Sequence, residues 1–261
     1  MPPAPLLLLH GFLGRGADWD GFRETLNRAA AASGLHLGPV SAPDLPGHGD
    51  AVRLPPERYT MAGATDALAD RLDAPADIVG YSMGGRVALA LALRHPERVR
   101  RLVLLSASPG LDTEAERAER RRLDAERADA VRHDLAGFAS RWQRLPLFAH
   151  LPDAVRRARA AEQARNDPDE IARALAGLGT GAQPSYWGRL AALPPGTLAV
   201  AGERDAKFVG IARRMEARAD GRVRAVALDG VGHAPHLEAP EATATLVLGA
   251  LYAGASPGAP R

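Results

Sequence analysis

Short apolar runs alternate with longer segments in which apolar residues recur every third or fourth position. The short runs have the length of buried strands, and the longer segments have the spacing of helices with one buried face. Strands that alternate with helices form parallel sheets covered on both faces. We therefore predict an α/β fold with a mostly parallel sheet of about six strands flanked by helices. The predicted strands are residues 6–9, 37–42, 77–81, 99–105, 198–201 and 223–228, and the predicted helices include 18–32, 60–72, 83–94 and 240–252.

Residues 107–187 interrupt this alternation. Strand patterns are missing there, and charged helical stretches such as 114–132 and 154–165 replace them. We predict an all-helical lid inserted before the penultimate strand. The α/β core would then comprise residues 1–106 and 188–253, and the Pro- and Gly-rich residues 254–261 would form a flexible tail.

The composition narrows the class of protein. There are 0 cysteines, which excludes disulfides and thiolate metal sites. The net charge of +2 is too small to indicate a nucleic-acid partner, and no apolar run approaches the length of a membrane span. We expect a cytoplasmic enzyme without a cofactor or metal, acting on a small molecule and not at a membrane. The basic residues are arginines except for Lys207, a bias that a GC-rich genome explains.

The pentapeptide Gly80-Tyr81-Ser82-Met83-Gly84 is a G-x-S-x-G motif between a predicted strand and a predicted helix. Small residues around Ser82 allow the sharp turn that exposes a serine hydroxyl at the edge of a sheet. The N–H groups at the start of the next helix favour a developing anion. The G-x-S-x-G motif alone is weak evidence, but its position between a strand and a helix predicts Ser82 as the residue with the reactive hydroxyl.

A reactive serine needs a base, and the base needs a carboxylate that orients it. Asp205 and His233 each follow a predicted strand, where sites of parallel sheets form. The chain order Ser, Asp, His is that of α/β-hydrolases. We predict a catalytic triad of Ser82, Asp205 and His233, with Asp229 and Glu203 as the less favoured alternatives for the acid.

The loop after the first strand, His10-Gly11-Phe12, is where a second oxyanion-hole amide is expected. We assign the oxyanion hole to the backbone N–H groups of Phe12 and Met83. For His10, and equally for His48 and His236, a structural role is as well supported as a chemical one.

Beyond the motifs of the α/β-hydrolase fold, the chain resembles a family of the menaquinone pathway, the 2-succinyl-6-hydroxy-2,4-cyclohexadiene-1-carboxylate synthases. The resemblance extends over nearly the whole chain and includes the lid, which distinguishes relatives of this fold from one another. The stretches that carry it are residues 10–14, 44–49, 80–88, 108–111, 116–122, 165–166, 202–208 and 232–233, together with Trp142, Pro146 and Phe148.

The resemblance implies a substrate with three carboxylates that loses pyruvate after proton abstraction. Such a polycarboxylate requires fixed cations, and the planar guanidinium of arginine suits carboxylates. Arg86 lies one helical turn after Ser82, so both face the same pocket. Lys207 is a further candidate cation. By the resemblance, the other substrate-binding residues are Arg120 and Arg165 from the lid, Trp142 and Tyr81.

A solvated helix face explains the lid arginines equally well. Glu116 and Arg120 are spaced as an ion pair on one helix face. Arginines and carboxylates are equally numerous in residues 107–187, so composition alone does not predict anion binding there. For Trp142, packing within the lid is as good an explanation as substrate contact.

Two other functions remain open from the sequence. A carboxylesterase or carbon–carbon hydrolase that forms an acyl-serine would share the core motifs, but a neutral ester has no need of the lid arginines. A ligand-binding receptor on the same fold would not need an intact triad. The oligomeric state is also open.

Overall fold

The computed structural model describes residues 3–252, so the predicted flexible tail lies outside the described residues. Six strands form one parallel sheet in the order β2-β1-β3-β4-β5-β6. The predicted α/β class with about six parallel strands is thereby confirmed. The strands are β1 (Leu6–Leu9), β2 (Val40–Ser41), β3 (Ala76–Tyr81), β4 (Val99–Leu105), β5 (Thr197–Gly202) and β6 (Val223–Leu228).

The helices around the sheet are α1 (Asp20–Ala32), α2 (Met61–Ala69), α3 (Met83–Arg94), α8 (Ala206–Arg218), α9 (Pro235–Glu238) and α10 (Pro240–Leu251). Four further helices lie between β4 and β5: α4 (Glu114–His133), α5 (Leu135–Trp142), α6 (Asp153–Gln163) and α7 (Pro168–Leu178).

The core has one layer of apolar side chains on each face of the sheet, because successive residues of a strand point to opposite faces. Leu6 and Leu8 of β1 pack with α1 and α10. Leu7 and Leu9 pack on the other face, with α2, α3 and α8. All four leucines are buried, as expected for a strand covered on both faces.

Several bounds differ from the sequence prediction. The edge strand β2 has two residues instead of residues 37–42, because Pro39 and Pro43 beside it cannot donate to a ladder. Helix α1 begins at Asp20 after a 3₁₀ turn, and Asp18 within that turn does not cap it. Helix α2 ends at Ala69, three residues before the predicted end.

The segment between β4 and β5 contains helices and no strand in the described structure. Helices α4, α5 and α7 share a separate apolar cluster that includes Val131, Phe138 and Ile171. Leu13, from the loop after β1, inserts into the same cluster and ties the lid to the core. The division at residues 107 and 187 stays a prediction. Within residues 3–252, no helix is both long enough and apolar enough to cross a membrane.

The turn between β3 and α3 packs closely against β1. A Cβ atom on Gly84 would lie 2.2 Å from the carbonyl oxygen of Leu9, and one on Gly80 would lie 2.5 Å from the carbonyl oxygen of Gly84. Both obstacles are backbone atoms, so they cannot move aside as a flexible side chain can. Glycine is therefore required at both positions by space.

We expect Gly84→Ala to destabilise the fold by about 2 kcal/mol or more, because it overpacks a contact between two backbones. Gly249→Ala is the matched control: Gly249 is in helix α10 with open space around its Cβ position, and alanine there should stabilise by about 0.5–1 kcal/mol. Urea unfolding of both variants measures the difference. Equal unfolding midpoints would contradict the close packing.

Candidate active site

Three predicted site residues meet at the carboxyl edge of the sheet. His233, after β6, places its Nε2 3.2 Å from the Ser82 Oγ and its Nδ1 2.5 Å from the Asp205 Oδ2. The alternative acids lie elsewhere: Glu203 accepts a hydrogen bond from the Gly230 N–H, and Asp229 is exposed. The arrangement is a serine, histidine and carboxylate in one hydrogen-bonded series.

The backbone at Ser82 is strained. Its φ is 50° and its ψ is −109°, in a region that side-chain-bearing residues rarely occupy. The turn holds because Ser82 donates its N–H to the Leu105 carbonyl while its own carbonyl accepts from the Arg86 N–H. The strain directs the hydroxyl out of the sheet edge toward His233, as a strand–turn–helix elbow does.

Aromatic rings surround His233. Phe208 lies 4.7 Å away between ring centroids, Tyr81 5.5 Å and Phe148 6.0 Å. The side chain of His233 is only 5% exposed and that of Asp205 10%. Such surroundings exclude water and strengthen the electrostatic interaction between imidazole and carboxylate. Asp205 also caps helix α8 by accepting from the Phe208 N–H.

The two predicted oxyanion-hole residues lie beside the serine. Phe12 and Met83 line the same cavity as Ser82. Among the described residues, neither backbone N–H donates to another backbone group. Met83 is the first residue of α3, so its amide also carries the positive end of the helix dipole. Both amides are free to bind an anion, and their role as an oxyanion hole stays a prediction.

Two buried histidines near the site, His10 and His48, bond the loops around it. His10 Nε2 accepts from the Leu45 N–H, while its Nδ1 lies 2.8 Å from the Gly11 carbonyl and donates to it. Only the neutral Nδ1–H tautomer makes both bonds. Burial lowers the pKa of His10, and it lowers that of His48 to about 3. These features support the structural role that the sequence left open for both residues.

Burial of neutral histidines makes stability depend on pH. His48 has an ordinary pKa of 6.5 and a folded pKa of about 3. Below pH 6.5 the unfolded chain therefore binds a proton that the folded chain does not. The free energy of unfolding consequently falls as the pH decreases from 6.5 toward the folded pKa of His48. One such histidine contributes a slope of about 1.4 kcal/mol per pH unit.

We expect the free energy of unfolding to fall as pH drops from about 6.5 to about 5, and we expect His48→Asn to reduce that slope. The Asn amide can still donate to the Pro46 carbonyl that His48 Nδ1 contacts. His36→Asn is the control, because His36 is exposed. Urea unfolding at several pH values measures the slopes, and identical slopes for His48→Asn and the unmodified protein would contradict the buried neutral state.

A cavity of about 430 Å³ opens over the serine, between the sheet edge and the lid. Its lining is partly aromatic and aliphatic, yet it includes six basic side chains. The size suits a small-molecule ligand, and the charge suits an anionic one. The basic residues that line it are Arg86, Arg120, Arg127, Arg159, Lys207 and Arg214.

Arg86 reaches the cavity from helix α3. It donates to the Leu178 carbonyl at 2.7 Å and to the Gln183 side chain at 3.2 Å, so it is fixed to the lid. Burial, with a smaller contribution from Arg120, lowers the pKa of Arg86, but an arginine stays protonated at neutral pH. Arg86 lies beside Ser82 in the cavity lining, where the helical spacing predicted it.

Arg120 also lines the cavity, and its partner is not the one the helix spacing suggested. Its Nε donates to Asp124 at 2.7 Å, and Arg127 donates to the same carboxylate at 3.1 Å. The side chain of Asp124 is 4% exposed. Glu116, the expected partner of Arg120, instead accepts from Thr113 in a capping box at the start of α4. Asp124 therefore holds two arginines at the cavity wall.

Arg165 does not reach the cavity, and the role implied for it is wrong in this structure. Its side chain is 67% exposed and pairs with Glu162. The cause is the next residue: Asn166 is buried and bonds the Leu13 carbonyl and the Gly49 N–H. Asn166 takes the inward position in the turn after α6, so Arg165 points to solvent.

The other predicted contacts line the cavity. Trp142 stacks on Phe138 with ring centroids 5.9 Å apart and presents an edge to Phe12 at 5.2 Å, so it packs in the lid and faces the cavity at once. Lys207 is exposed at the cavity mouth, with its Nζ over the ring of Phe208. Tyr81 is buried, and its hydroxyl lacks a hydrogen-bond partner among the described residues.

Sequence reasoning missed several lining residues. Arg127 lies seven residues after Arg120, two turns along the same helix, and that spacing could have indicated it. Arg159 and Gln163 on α6, and Arg214 on α8, carry no comparable signal, because their orientation depends on what packs against their helices. Within residues 3–252, no cluster of His, Asp or Glu has the arrangement of a metal site.

Comparison with known proteins places this geometry in context. A family model described as the alpha/beta hydrolase family matches residues 6–246. The chain is 34% identical over 245 residues to a putative 2-succinyl-6-hydroxy-2,4-cyclohexadiene-1-carboxylate synthase of Bacillus subtilis, covering 90% of this chain and 85% of that protein.

Two further relatives bear on the site. The solved structure of MenH from S. aureus superimposes with a TM-score of 0.86 at 32% identity, covering 97% of this chain and 95% of that one. A pimeloyl-[acyl-carrier protein] methyl ester esterase of Neisseria meningitidis is 40% identical, but over 158 residues, which are 59% of this chain and 57% of that protein. The likeness to the synthases includes the lid; the likeness to the esterase is partial.

Proposed function

The chain belongs to the α/β hydrolase family of enzymes, and we propose that it is a 2-succinyl-6-hydroxy-2,4-cyclohexadiene-1-carboxylate synthase of menaquinone biosynthesis. This lyase eliminates pyruvate from a tricarboxylated cyclohexene, 2-succinyl-5-enolpyruvyl-6-hydroxy-3-cyclohexene-1-carboxylate. The similarity to synthases over 90% of the chain supports the assignment. The elimination is neither an oxidation nor a reduction, so it requires no redox cofactor.

The observation that carries the proposal is the set of fixed cations above Ser82. Arg86 is held by lid acceptors, and Arg120 is held by the buried Asp124. Arginines fixed in this way lose little further entropy when they bind a carboxylate. A neutral ester would derive no benefit from several such cations in its pocket.

The triad would supply the proton transfers. His233 takes the proton of Ser82, and the serine oxygen abstracts a ring proton that is acidified by conjugation. The electrons of the broken C–H bond form a new ring double bond, the electron pair of the existing ring double bond shifts by one position, and the C–O bond to the enolpyruvyl oxygen breaks. The imidazolium returns its proton to the leaving enolate, which becomes pyruvate. Asp205 stabilises the imidazolium in between.

The oxyanion amides have a different task in an elimination. No tetrahedral intermediate forms, so the N–H groups of Phe12 and Met83 would bind a substrate carboxylate or the negative charge that develops on it. Preorganised donors in a site shielded from water stabilise such charge without having to reorient. The same amides would bind a tetrahedral oxyanion in an ester hydrolase.

A hydrolase that acts through an acyl-serine is the second candidate. Its support is the hydrogen-bonded series of Ser82, His233 and Asp205, together with the partial likeness to the Neisseria esterase. A receptor without turnover fits less well, because it has no use for a strained serine held against a histidine.

We expect the purified protein to release pyruvate from the tricarboxylated cyclohexene, and we expect Ser82→Ala to lower kcat by about a thousandfold or more while remaining folded. Ser33→Ala, at an exposed serine, is the control. A coupled pyruvate assay measures turnover, and circular dichroism measures folding. A well-folded Ser82→Ala variant with most of its activity would exclude the proposed role of the serine.

The same reaction, quenched during turnover, distinguishes the two candidates. A hydrolase passes through a covalent acyl-serine, whereas the elimination leaves the protein mass unchanged. Intact-protein mass spectrometry should find no adduct derived from the native substrate. A serine adduct, or a hydrolysis product in place of pyruvate, would defeat the synthase in favour of the esterase.

We expect Arg86→Ala and Arg120→Ala each to lower kcat/KM about tenfold or more, because each removes a charge-assisted hydrogen bond to a carboxylate. Arg122→Ala is the matched control on helix α4: its side chain is 57% exposed and pairs with Glu119 and Glu126 on the surface. Steady-state kinetics measures all three variants. Wild-type kinetics for Arg120→Ala would favour the solvated-face interpretation of that helix.

A further inference from the structure

Arg159, on helix α6 of the lid, projects into the cavity. Its side chain is 16% exposed, and it belongs to the cavity lining. Its Nε is buried and has no hydrogen-bond partner among the described residues. Its nearest carboxylate is Asp18, whose Oδ2 lies 3.9 Å from a terminal nitrogen, too far for a hydrogen bond. This cation is thus oriented but not neutralised by a bonded partner.

A second unpaired donor belongs to the lining of the same cavity. The Tyr81 hydroxyl is buried without a partner among the described residues, on a side chain that also lines the cavity. Burial raises the pKa of Tyr81, so the hydroxyl keeps its proton. His236 connects the surroundings of the two groups: its ring packs on Tyr81 and on Trp19, and Trp19 follows Asp18, the carboxylate that Arg159 approaches. Two buried donors without acceptors are costly unless a ligand accepts from them.

These donors form a group apart from the other lid cations. Arg120 and Arg127 share the carboxylate of Asp124, and Arg86 donates to the Leu178 carbonyl. Arg159 instead approaches Asp18. His236 packs on Tyr81 with ring centroids 4.5 Å apart, and burial holds its pKa well below the ordinary value. It is therefore neutral and does not compete for an anion.

We propose that Arg159 and the Tyr81 hydroxyl form a second carboxylate subsite, which binds one carboxylate of the substrate while the Arg86 and Arg120 side binds another. The proposal rests on the proposed function and deepens it, because a polycarboxylate needs more than one anion site. A carboxylate is the matching ligand: it offers only acceptors, and both groups are donors.

Arg159 thereby takes the role that the family resemblance gave to Arg165. The two arginines are six residues apart, on either side of the end of α6. Arg165 pairs with Glu162 at the surface, and Arg159 faces the cavity. Asp18 lies 3.9 Å from one terminal nitrogen of Arg159, and the Arg159 Nε has no hydrogen-bond partner among the described residues.

Binding to an inactive protein tests the subsite without turnover. In a Ser82→Ala background, we expect Arg159→Ala to weaken binding of the tricarboxylated substrate about tenfold or more, measured by titration calorimetry. Arg159→Lys should recover part of the affinity, since it restores the charge without the planar fork. Arg157→Ala, at an exposed arginine of the same helix, and Arg165→Ala should bind like the parent.

In the active protein, Arg159→Ala should raise KM with a smaller effect on kcat, a split that a general loosening of the lid would not produce. Tyr81→Phe should weaken binding less, and its effect should be smaller still when Arg159 is already alanine, because both contact one carboxylate. Thermal melting of each variant identifies any that are misfolded. If Arg159→Ala is misfolded, the affinity of Arg159→Lys is compared with that of the parent instead.

The outcomes separate the subsite from the proposed function. Unchanged binding by Arg159→Ala, or a loss at Arg165→Ala alone, would overturn the subsite even if pyruvate is released. If the protein releases no pyruvate, 2-succinylbenzoate serves as a dicarboxylate probe. Binding of that probe that depends on Arg159 would support the subsite without the synthase activity, and absence of such binding would overturn it.

Discussion

The close packing of the β3–α3 turn on the carboxyl end of β1 is the constraint on which the site depends. Gly84 lies against the Leu9 carbonyl so closely that no side chain fits between them. This contact brings the loop that carries Phe12 next to the serine and to the first amide of α3. The strained backbone of Ser82 is the consequence, and the surrounding hydrogen bonds and packing offset its cost. A looser turn would separate the Ser82 hydroxyl from the backbone amides of Phe12 and Met83.

The lid is attached to this frame by buried polar contacts as much as by apolar packing. Asn166 bonds the Leu13 carbonyl and the Gly49 N–H, and Glu170 of α7 bonds Tyr59 and the Arg53 N–H of the core. Such contacts have direction, so they set the orientation of the lid helices where apolar packing alone would leave more freedom. They also determine which lid arginines face inward.

Carboxylates of the chain position its cavity cations without neutralising all of them. Asp124 bonds Arg120 and Arg127, whereas Asp18 approaches Arg159 without a hydrogen bond. The cavity therefore keeps an excess of positive charge next to Ser82 and His233. A serine, histidine and carboxylate in series permit acyl transfer or proton abstraction. In the proposed function, the surrounding positive charge selects the substrate, and the substrate determines which of these reactions the serine oxygen performs.

The sequence by itself determined the sheet and the three residues that meet at its carboxyl edge. Strand patterns and glycines are local signals, and parallel strands bring their carboxyl ends to one edge, so Ser82, Asp205 and His233 could be placed together from their positions after strands. Arg86 followed from helical spacing. Only the tertiary structure decided the orientation of the lid. Asn166 is buried and turns Arg165 outward, and α6 presents Arg159 to the cavity. Arg120 pairs with Asp124, four residues further along α4, and not with Glu116, because the carboxylate of Asp124 is the buried one. The direction of a long charged side chain depends on what packs against its helix, and helical spacing alone does not encode that.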